Sequence, residues 1–439
     1  MSSSSSSVMR TLRSFMEIPM RLTLSVIALS LFASTLADAA EPQWSQIHAT
    51  AVNTTADLNP NFAAREAVIQ QQLIAALRGN ASSLQRSELE TARQSSVQAD
   101  TAWLQASGYD FHKKENQQAG IALLSQFSAQ PKAVMTANLD TVESINLNAT
   151  GGQRRGALID AEGQNFLYFL ADAMGPDLGK AFLTAYNKGE LSKAAALIKA
   201  SEVSTSAAKK HFNYPRPFLV AGNSIHNVPD DAVVKDNQPY RADGGSFPSG
   251  HTNTGYTDAL LMAEMLPERF VPLLDRGARY GYSRIVLGVH YPLDVIGSRM
   301  AAERNVAHFM NDAAYRTLFE QAKQELRGAL EKECGMSLAA CARTTGDADP
   351  YAAPQMRQFY RFTMTYGLPR QRTQQSSVQV PAGAEVLLEA PLPQLNAAQR
   401  RQLMVSSALA AGYPLSGDAE QSFWQRLNLH DAVVSASKR

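Results

Sequence analysis

Cationic, hydroxyl and imidazole side chains concentrate in four short segments between residues 209 and 294 of the chain. The residues that could do chemistry there are Lys209, Arg216, Ser249, Gly250, His251, Arg284, His290 and Asp294. Each is a weak signal alone, because a single Lys or Arg is ordinarily a solvated charge. Together they supply three cations, backbone donors, a nucleophile and a proton donor, which is what a bound phosphoryl group requires. The pattern therefore predicts an anion site.

The segment Ser249-Gly250-His251 comes directly before a predicted helix over Thr252–Met265. Free N–H groups at the start of a helix face an anion readily, and Gly250 permits close backbone approach. A plain Ser/Gly helix cap is the alternative, and it explains Ser249 and Gly250 but gives no reason for His251.

His290 and Asp294 flank the start of another predicted helix. Pro292 suits the first helical turn, which places His290 just before the helix and Asp294 within its first turn. The carboxylate then reaches one imidazole nitrogen, fixes the tautomer and leaves the other nitrogen free to attack. A simple first-turn acid favoured by the helix dipole is the alternative reading of Asp294, and both roles are compatible.

Three cations are candidates for holding the phosphoryl oxygens. Arg216 lies between two prolines, whose fixed φ angles predict a stiff extended segment that aims the guanidinium. Arg216 and Arg284 suit bidentate contact with oxygens, whereas Lys209 acts as a point charge. Lys210 remains an alternative to Lys209.

Helices must position these residues. Apolar spacing of three to four residues predicts an all-helical unit over residues 157–333, with later helices over Thr252–Met265, Pro272–Tyr282, Pro292–Met310 and Ala313–Glu333. Residues 40–156 are predicted to be a helical extension with stretches at 63–77 and 87–104. We treat 334–439 as a small mixed extension whose part after residue 345 is an appended module of unknown role, with strands at 378–380 and 385–389 and a helix at 397–411.

Composition limits the function classes. The chain of 439 residues has 41 Lys+Arg against 40 Asp+Glu, a net charge of +1, so bulk electrostatics favour neither nucleic acid nor an anionic membrane as a partner. Cys334 and Cys341 are too few for a disulfide scaffold or a four-cysteine zinc site. They are either one small loop-closing bridge or two free thiols.

Residues 1–39 have the pattern of a secretory signal peptide, with Arg21, an apolar run over 22–33 and an A-x-A pattern at 37–39. The run is shorter than the ~20 apolar residues of a spanning helix, so an uncleaved anchor is the lesser alternative. Translation from Met20 also stays open. We expect cleavage near Ala40, export to the bacterial periplasm or beyond, and no stable membrane insertion.

The order Lys209-x6-Arg216-Pro217, Pro248-Ser249-Gly250-His251 and Ser283-Arg284-x5-His290-x3-Asp294 resembles the three-part signature of the type 2 phosphatidic acid phosphatase superfamily. Within that superfamily, the sequence most resembles the bacterial class A non-specific acid phosphatases. The resemblance covers residues 157–333 and implies an all-α helical-bundle core.

The resemblance also implies an acid phosphatase that hydrolyses small phosphate monoesters without a metal or other cofactor. In that reading His290 attacks phosphorus to form a phosphohistidine, His251 protonates the leaving oxygen, and Asp294 supports His290. The three cations, with Ser249 and the Gly250 backbone, hold the phosphoryl oxygens. The resemblance also implies a bell-shaped dependence of rate on pH with an acidic optimum. The sequence leaves open whether the protein forms a homo-oligomer.

Three alternatives use the same residues differently. A vanadium-dependent haloperoxidase resembles the same superfamily and would hold vanadate in the cationic pocket. A lipid-phosphate phosphatase and a non-enzymatic phosphate-binding or adhesion protein are the others. A zinc hydrolase is disfavoured because the remaining histidines lack paired ligand spacing.

Overall fold

Helices make up almost all of the regular structure in the computed structural model, which describes residues 84–85, 98–162, 166–226, 233–235, 238–239, 244–343, 349–372 and 376–437. The expected signal peptide and the helix predicted over 63–77 lie outside these residues. Of the helix predicted over 87–104 only the end is described, where the first helix begins at Thr101. The all-α fold class is confirmed.

The helices of the first half of the chain are α1 (Thr101–Ala106), α2 (Lys114–Leu123), α3 (Lys132–Asn148), α4 (Gly151–Glu162), α5 (Pro176–Asn187), α6 (Ser192–Ser201) and α7 (Ser206–Phe212). Those of the second half are α8 (Gly250–Met265), α9 (Phe270–Val286), α10 (Pro292–Met310), α11 (Ala313–Cys334), α12 (Leu338–Cys341), α13 (Gln355–Phe362), α14 (Ala397–Ser407), α15 (Ala419–Arg426) and α16 (Leu429–Ala436). Short 3-10 helices occupy Ser125–Ala129, Tyr168–Ala173, Pro217–Leu219, Pro267–Arg269, Pro350–Ala352 and Ala384–Leu388.

A minor sheet of very short strands accompanies the helices. It is formed by β1 (Leu84–Gln85), β2 (Val233–Lys235) and β3 (Gln238–Pro239). β2 pairs parallel with β1 and antiparallel with β3. Strands of two or three residues add little to a fold that is built from packed helices.

The core is built around α8, α9 and α10, which pack against one another. Gly281 of α9 lies where the three helices meet. A Cβ there would come within 2.7 Å of Val295 Cγ1 on α10 and 3.1 Å of Thr252 Cγ2 on α8. A larger side chain would push these helices apart. The close packing matters because α8, α9 and α10 carry or adjoin most of the predicted site residues.

Helix α9 is buried along nearly its whole length, and it continues four residues beyond its predicted end at Tyr282. This extension places Arg284 on the helix itself. Arg276, also on α9, forms ion pairs with Asp160 of α4 and, at 2.9 Å, with Asp172. Removing one partner of such a buried pair would leave an uncompensated charge, so the network fixes α9 against α4.

The C-terminal extension packs on the helical core. Helices α13 and α16 lie against α9, while α15 and the 3-10 helix Ala384–Leu388 lie against α10. The predicted strand at 385–389 is wrong, because these residues fold as that 3-10 helix, and 378–380 form no strand. Val386, Leu387 and Leu388 are all buried, and a helical turn buries three consecutive side chains that a two-sided strand would split between faces. The helix predicted over 397–411 is present as α14, which ends at Ser407, four residues before its predicted end.

Cys334 and Cys341 form a disulfide, with their Cα atoms 6.1 Å apart. Cys334 is the last residue of α11 and Cys341 the last of α12. The bridge therefore closes the short loop between two helices. Of the two alternatives left open by the sequence, the structure has the loop-closing bridge.

Candidate active site

His290 and Asp294 form the buried centre of the site. His290 lies in the turn before α10, and its Nδ1 is 2.8 Å from Oδ2 of Asp294 in the first turn. The same carboxylate oxygen accepts the Tyr291 backbone N–H at 2.9 Å and the Ser246 hydroxyl. His290 is 1% exposed and Asp294 is completely buried. The predicted pairing is therefore present, and it holds the imidazole in one orientation.

Arg216 approaches the other ring nitrogen of the His290 imidazole. Its Nη1 is 3.0 Å from Nε2 of His290 and donates to the Val289 carbonyl at 3.1 Å. A guanidinium has only donors, so we assign Nε2 as the acceptor and place the ring proton on Nδ1, facing Asp294. The lone pair of Nε2 thus points toward the cations, as a nucleophile for a bound anion requires.

The backbone around Arg216 is extended, with φ −66° and ψ 155°, as the flanking prolines predict. The Pro215 carbonyl accepts the Tyr291 hydroxyl at 3.0 Å, which ties this segment to the start of α10. Arg216 itself is buried. The segment therefore has little freedom to move the guanidinium away from His290.

The other predicted cations also surround His290. Burial lowers the pKa of His290 well below its usual range, and the positive charges of Arg216, Lys209 and Arg284, together with His251, lower it further. Because Coulomb interactions decay with distance, this joint influence reflects the convergence of four groups from different segments on one imidazole. The neutral imidazole is the favoured form.

Lys209, not Lys210, is the inward-facing lysine. Lys209 is half-buried and its Nζ donates to the Gly245 carbonyl at 3.2 Å, whereas Lys210 is exposed. A Cβ on Gly250 would lie 3.9 Å from Lys209 Nζ, so this ammonium sits against the start of α8. The alternative that the sequence left open is thereby decided.

Ser249 is the N-cap of α8. Its Oγ accepts the Thr252 N–H at 3.1 Å, while its own N–H donates to the Asp294 carbonyl at 3.2 Å. The cap role that the sequence offered as an alternative is therefore real. It still leaves the hydroxyl proton of Ser249 for an oxyanion, since a hydroxyl both donates and accepts. His251 follows on the first turn of α8 and is half-buried.

Burial raises the pKa of Asp294 to about 7, against the lowering effects of the Ser246 hydroxyl, the Tyr291 N–H and the charges of Lys209 and Arg216. A carboxylate in this setting is held ionised only by its donors. Asp294 is therefore sensitive to the loss of any one of them.

Two residues of this region were not predicted from the sequence. Ser246 donates to Asp294, and its only sequence signal is its place in the glycine-rich turn before α8. Asn146 of α3 is fully buried, and its Nδ2 donates at 2.8 Å both to the His226 carbonyl and to the Val286 carbonyl. It joins the segment after Arg216 to the end of α9, and nothing in the sequence around it marks that long-range contact.

No group of three or more His, Cys, Asp or Glu side chains in the described ranges is arranged to hold a metal ion. In the same part of the chain, none of the helices combines the length and apolar character of a membrane span.

Comparison with known families places this site. Residues 191–317 match the PAP2 superfamily model. This stretch contains all eight predicted site residues, with the arginines and histidines in the order already described. The resemblance recognised in the sequence is confirmed at this level.

The proteins to which the chain is similar include bacterial phosphatases. The chain is 32% identical to a non-specific acid phosphatase of Providencia stuartii over 126 residues, 29% of this chain and 48% of the relative. It is 36% identical to an acid phosphatase of Zymomonas mobilis over 122 residues, 28% of this chain and 44% of the relative. An undecaprenyl-diphosphatase of Bacillus subtilis is 39% identical over 90 residues, 20% of this chain and 39% of the relative. The chain thus spans less than half the length of each of these relatives.

Proposed function

We propose that the protein is an acid phosphatase that hydrolyses phosphate monoesters through a phosphohistidine on His290. The observation that carries the proposal is the arrangement of His290, whose Nδ1 faces Asp294 while its Nε2 faces Arg216 inside a buried group of cations. The similarity of the PAP2 domain to acid phosphatases supports the same reaction class.

In the first step Nε2 of His290 attacks phosphorus, so an N–P bond forms and the bond from phosphorus to the ester oxygen breaks. The Arg216 N–H that faces Nε2 shifts to a phosphoryl oxygen when the ester enters. Asp294 stabilises the positive charge that develops on the imidazole, which a buried site would otherwise disfavour. The low pKa of His290 keeps its lone pair available in acid.

His251 is the proton donor of this step and the base of the next. It gives its proton to the leaving ester oxygen, then takes one from the water that attacks the phosphohistidine. The N–P bond breaks, and inorganic phosphate and neutral His290 are released. His251 must therefore begin protonated while His290 begins neutral, which supports an acidic optimum.

Lys209, Arg216 and Arg284 supply the charge stabilisation, with Ser249 and the Gly250 N–H as further donors. Phosphoryl transfer depends mainly on positioning and on neutralising charge on the three equatorial oxygens. Three fixed cations meet this need, so we propose that turnover does not require a metal. Rates that are unchanged by prolonged treatment with a chelator would support this part of the proposal.

The function is tested by assaying the purified protein on a chromogenic phosphate monoester between pH 4 and pH 8. We expect hydrolysis with an acidic optimum and loss of turnover in His290→Ala. Lys210→Ala should lose no activity, because Lys210 faces solvent beside the inward-facing Lys209. Undiminished hydrolysis by His290→Ala would overturn the assignment. Bromide oxidation with added vanadate, measured beside hydrolysis, would instead support the haloperoxidase alternative.

The similarity to an undecaprenyl-diphosphatase favours one second candidate, a phosphatase acting on lipid diphosphates. A polyprenyl diphosphate in detergent micelles, compared with a soluble monoester at matched concentration, separates the two. A kcat/KM at least tenfold higher for the lipid would favour the second candidate.

We also propose that the protein is exported through cleavage of residues 1–39. The disulfide between Cys334 and Cys341 supports an oxidising compartment, because such bridges are rare in the cytosol. Amino-terminal sequencing of the protein from the periplasmic fraction should begin near Ala40. Recovery of the uncleaved chain from the cytosol would contradict this.

A further inference from the structure

A cavity lies at the junction between the helical core and the C-terminal extension, away from the candidate active site. Its volume is about 280 Å³, close to the lower end of the range for small-ligand sites. The core contributes Glu264 of α8 together with Arg316 and Lys323 of α11. Glu389 and Arg400 come from the extension. Five of the ten residues that line the cavity are thus charged, which is unusual for a packing defect.

Glu264 is the most telling group in this cavity. It is 1% exposed, and neither of its carboxyl oxygens has a hydrogen-bond partner among the described residues. A buried polar group without a partner costs free energy, and most such groups in folded proteins are satisfied. Burial raises the pKa of Glu264 well above its usual range, although Lys323 and Arg316 oppose this. A hydroxyl would satisfy Glu264 in either protonation state, since it both donates and accepts.

The three cations of the cavity differ in the ion pairs and hydrogen bonds that they form. Arg316 is paired with Glu389 at 3.0 Å, so these two charges largely cancel. Lys323 is half-buried and makes no hydrogen bond or ion pair within 4 Å of a described residue. Arg400 donates through Nε and Nη2 to the Leu392 carbonyl, which leaves Nη1 for another acceptor. The balance is positive whether Glu264 is charged or neutral, and it favours an anion.

We propose that this cavity binds a small hydroxylated organic anion, of the hydroxycarboxylate class. Its anionic group contacts Lys323 and Arg400, and its hydroxyl contacts Glu264. The ligand thereby supplies a hydrogen-bond partner for the buried carboxyl of Glu264 and a negative charge for Lys323.

This site is distinct from the catalytic centre. Gly250 and Glu264 lie at opposite ends of α8, 14 residues apart by their numbers, which corresponds to about 20 Å at 1.5 Å per residue. Helix α10 runs likewise from Asp294 to the cavity residue Met310. The proposal therefore does not depend on the phosphatase reaction and can fail or succeed separately.

The test is calorimetric titration of the full chain with malate and with succinate, which differ by one hydroxyl. Saturating inorganic phosphate is present throughout, so that an anion cannot report on the catalytic pocket. We expect malate to bind once per chain and succinate to bind about tenfold more weakly, as loss of one hydrogen bond implies. Lys323→Met should weaken malate binding at least tenfold. Lys332→Met, on the solvent side of the same helix, should leave it unchanged.

Glu264→Met should reduce malate binding to the level of succinate, and Glu264→Gln should retain the preference because an amide still pairs with a hydroxyl. The Gln variant also keeps the test decisive if the Met variant fails to fold. Absence of binding would show a cavity that holds only water. Equal affinity for the two acids would overturn the contact between the hydroxyl and Glu264, and malate affinity that Lys323→Met leaves unchanged would overturn the anion contact. Malate binding that persists in His290→Ala would support the site even if no phosphate ester is hydrolysed.

Discussion

Ser246→Ala is a sharp test of how the catalytic pair is held. The hydroxyl of Ser246 donates to Oδ2 of Asp294, the same oxygen that faces His290 Nδ1. Its backbone N–H remains bonded to the Tyr214 carbonyl at 2.8 Å, so the substitution removes one hydroxyl and leaves the turn in place. The change therefore acts on Asp294 alone.

The magnitude follows from the contacts that remain. A hydrogen bond to a charged group contributes about 1.5–3 kcal/mol, but Asp294 keeps the Tyr291 N–H and the imidazole. We therefore expect the lower end of that range, which corresponds to about a tenfold fall in kcat. KM should change less than twofold. The pKa of Asp294, already raised by burial to about 7, should rise further once a donor is lost, and the pH profile should shift with it.

The assay is steady-state hydrolysis of a chromogenic phosphate ester from pH 4 to pH 8. Ser201→Ala is the matched control, because Ser201 is equally buried and its hydroxyl bonds to the Leu197 carbonyl and the Tyr315 hydroxyl, away from the site. It should lower the free energy of unfolding without altering kcat or the pH profile. A Ser246→Ala enzyme with unchanged kcat and an unshifted profile would refute the positioning argument.

Three further outcomes follow from the same geometry. Arg216→Ala should lower kcat/KM by a factor of about 10²–10³, the loss that follows removal of one oxyanion donor, and Arg216→Lys should recover only part of it, because a point charge does not replace the guanidinium fork; recovery to full activity by Lys would contradict the contact. The imidazole of His290 should stay neutral to well below pH 6.5 when its ring signals are followed by NMR, because burial and the cations lower its pKa; an imidazole that titrates near pH 6.5 would be one that the cations do not reach. Cys334→Ser should lower the free energy of unfolding in urea by about 2 kcal/mol, since the bridge to Cys341 closes a short loop of separation 7, and should leave turnover unchanged; equal urea midpoints for the two proteins would argue against the bridge.

The convergence of the site was predictable because each part has a local cause. A proline in the first turn after His290 fixes where α10 begins, and this places Asp294 within reach of the imidazole. The cap at Ser249 likewise fixes the start of α8. Such signals involve residues close to one another in the sequence, so they can be recognised without knowledge of tertiary packing.

The parts that were missed depend on contacts between distant residues. Asn146 lies 140 positions before Val286, whose carbonyl accepts its amide, and no local pattern announces that pairing. The segment 385–389 was predicted to be a strand, yet packing against α10 favours the 3-10 helix Ala384–Leu388. Short apolar runs fit both geometries, and tertiary contacts decide between them.

The most direct test of the central claim is to trap the covalent intermediate. The protein is mixed with a phosphate ester, quenched in base, in which phosphohistidine survives, and its peptides are mapped by mass spectrometry. We predict phosphate on His290, and none in His290→Ala. Turnover without any phosphorylated histidine, or phosphate on another residue with His290→Ala still active, would contradict the account.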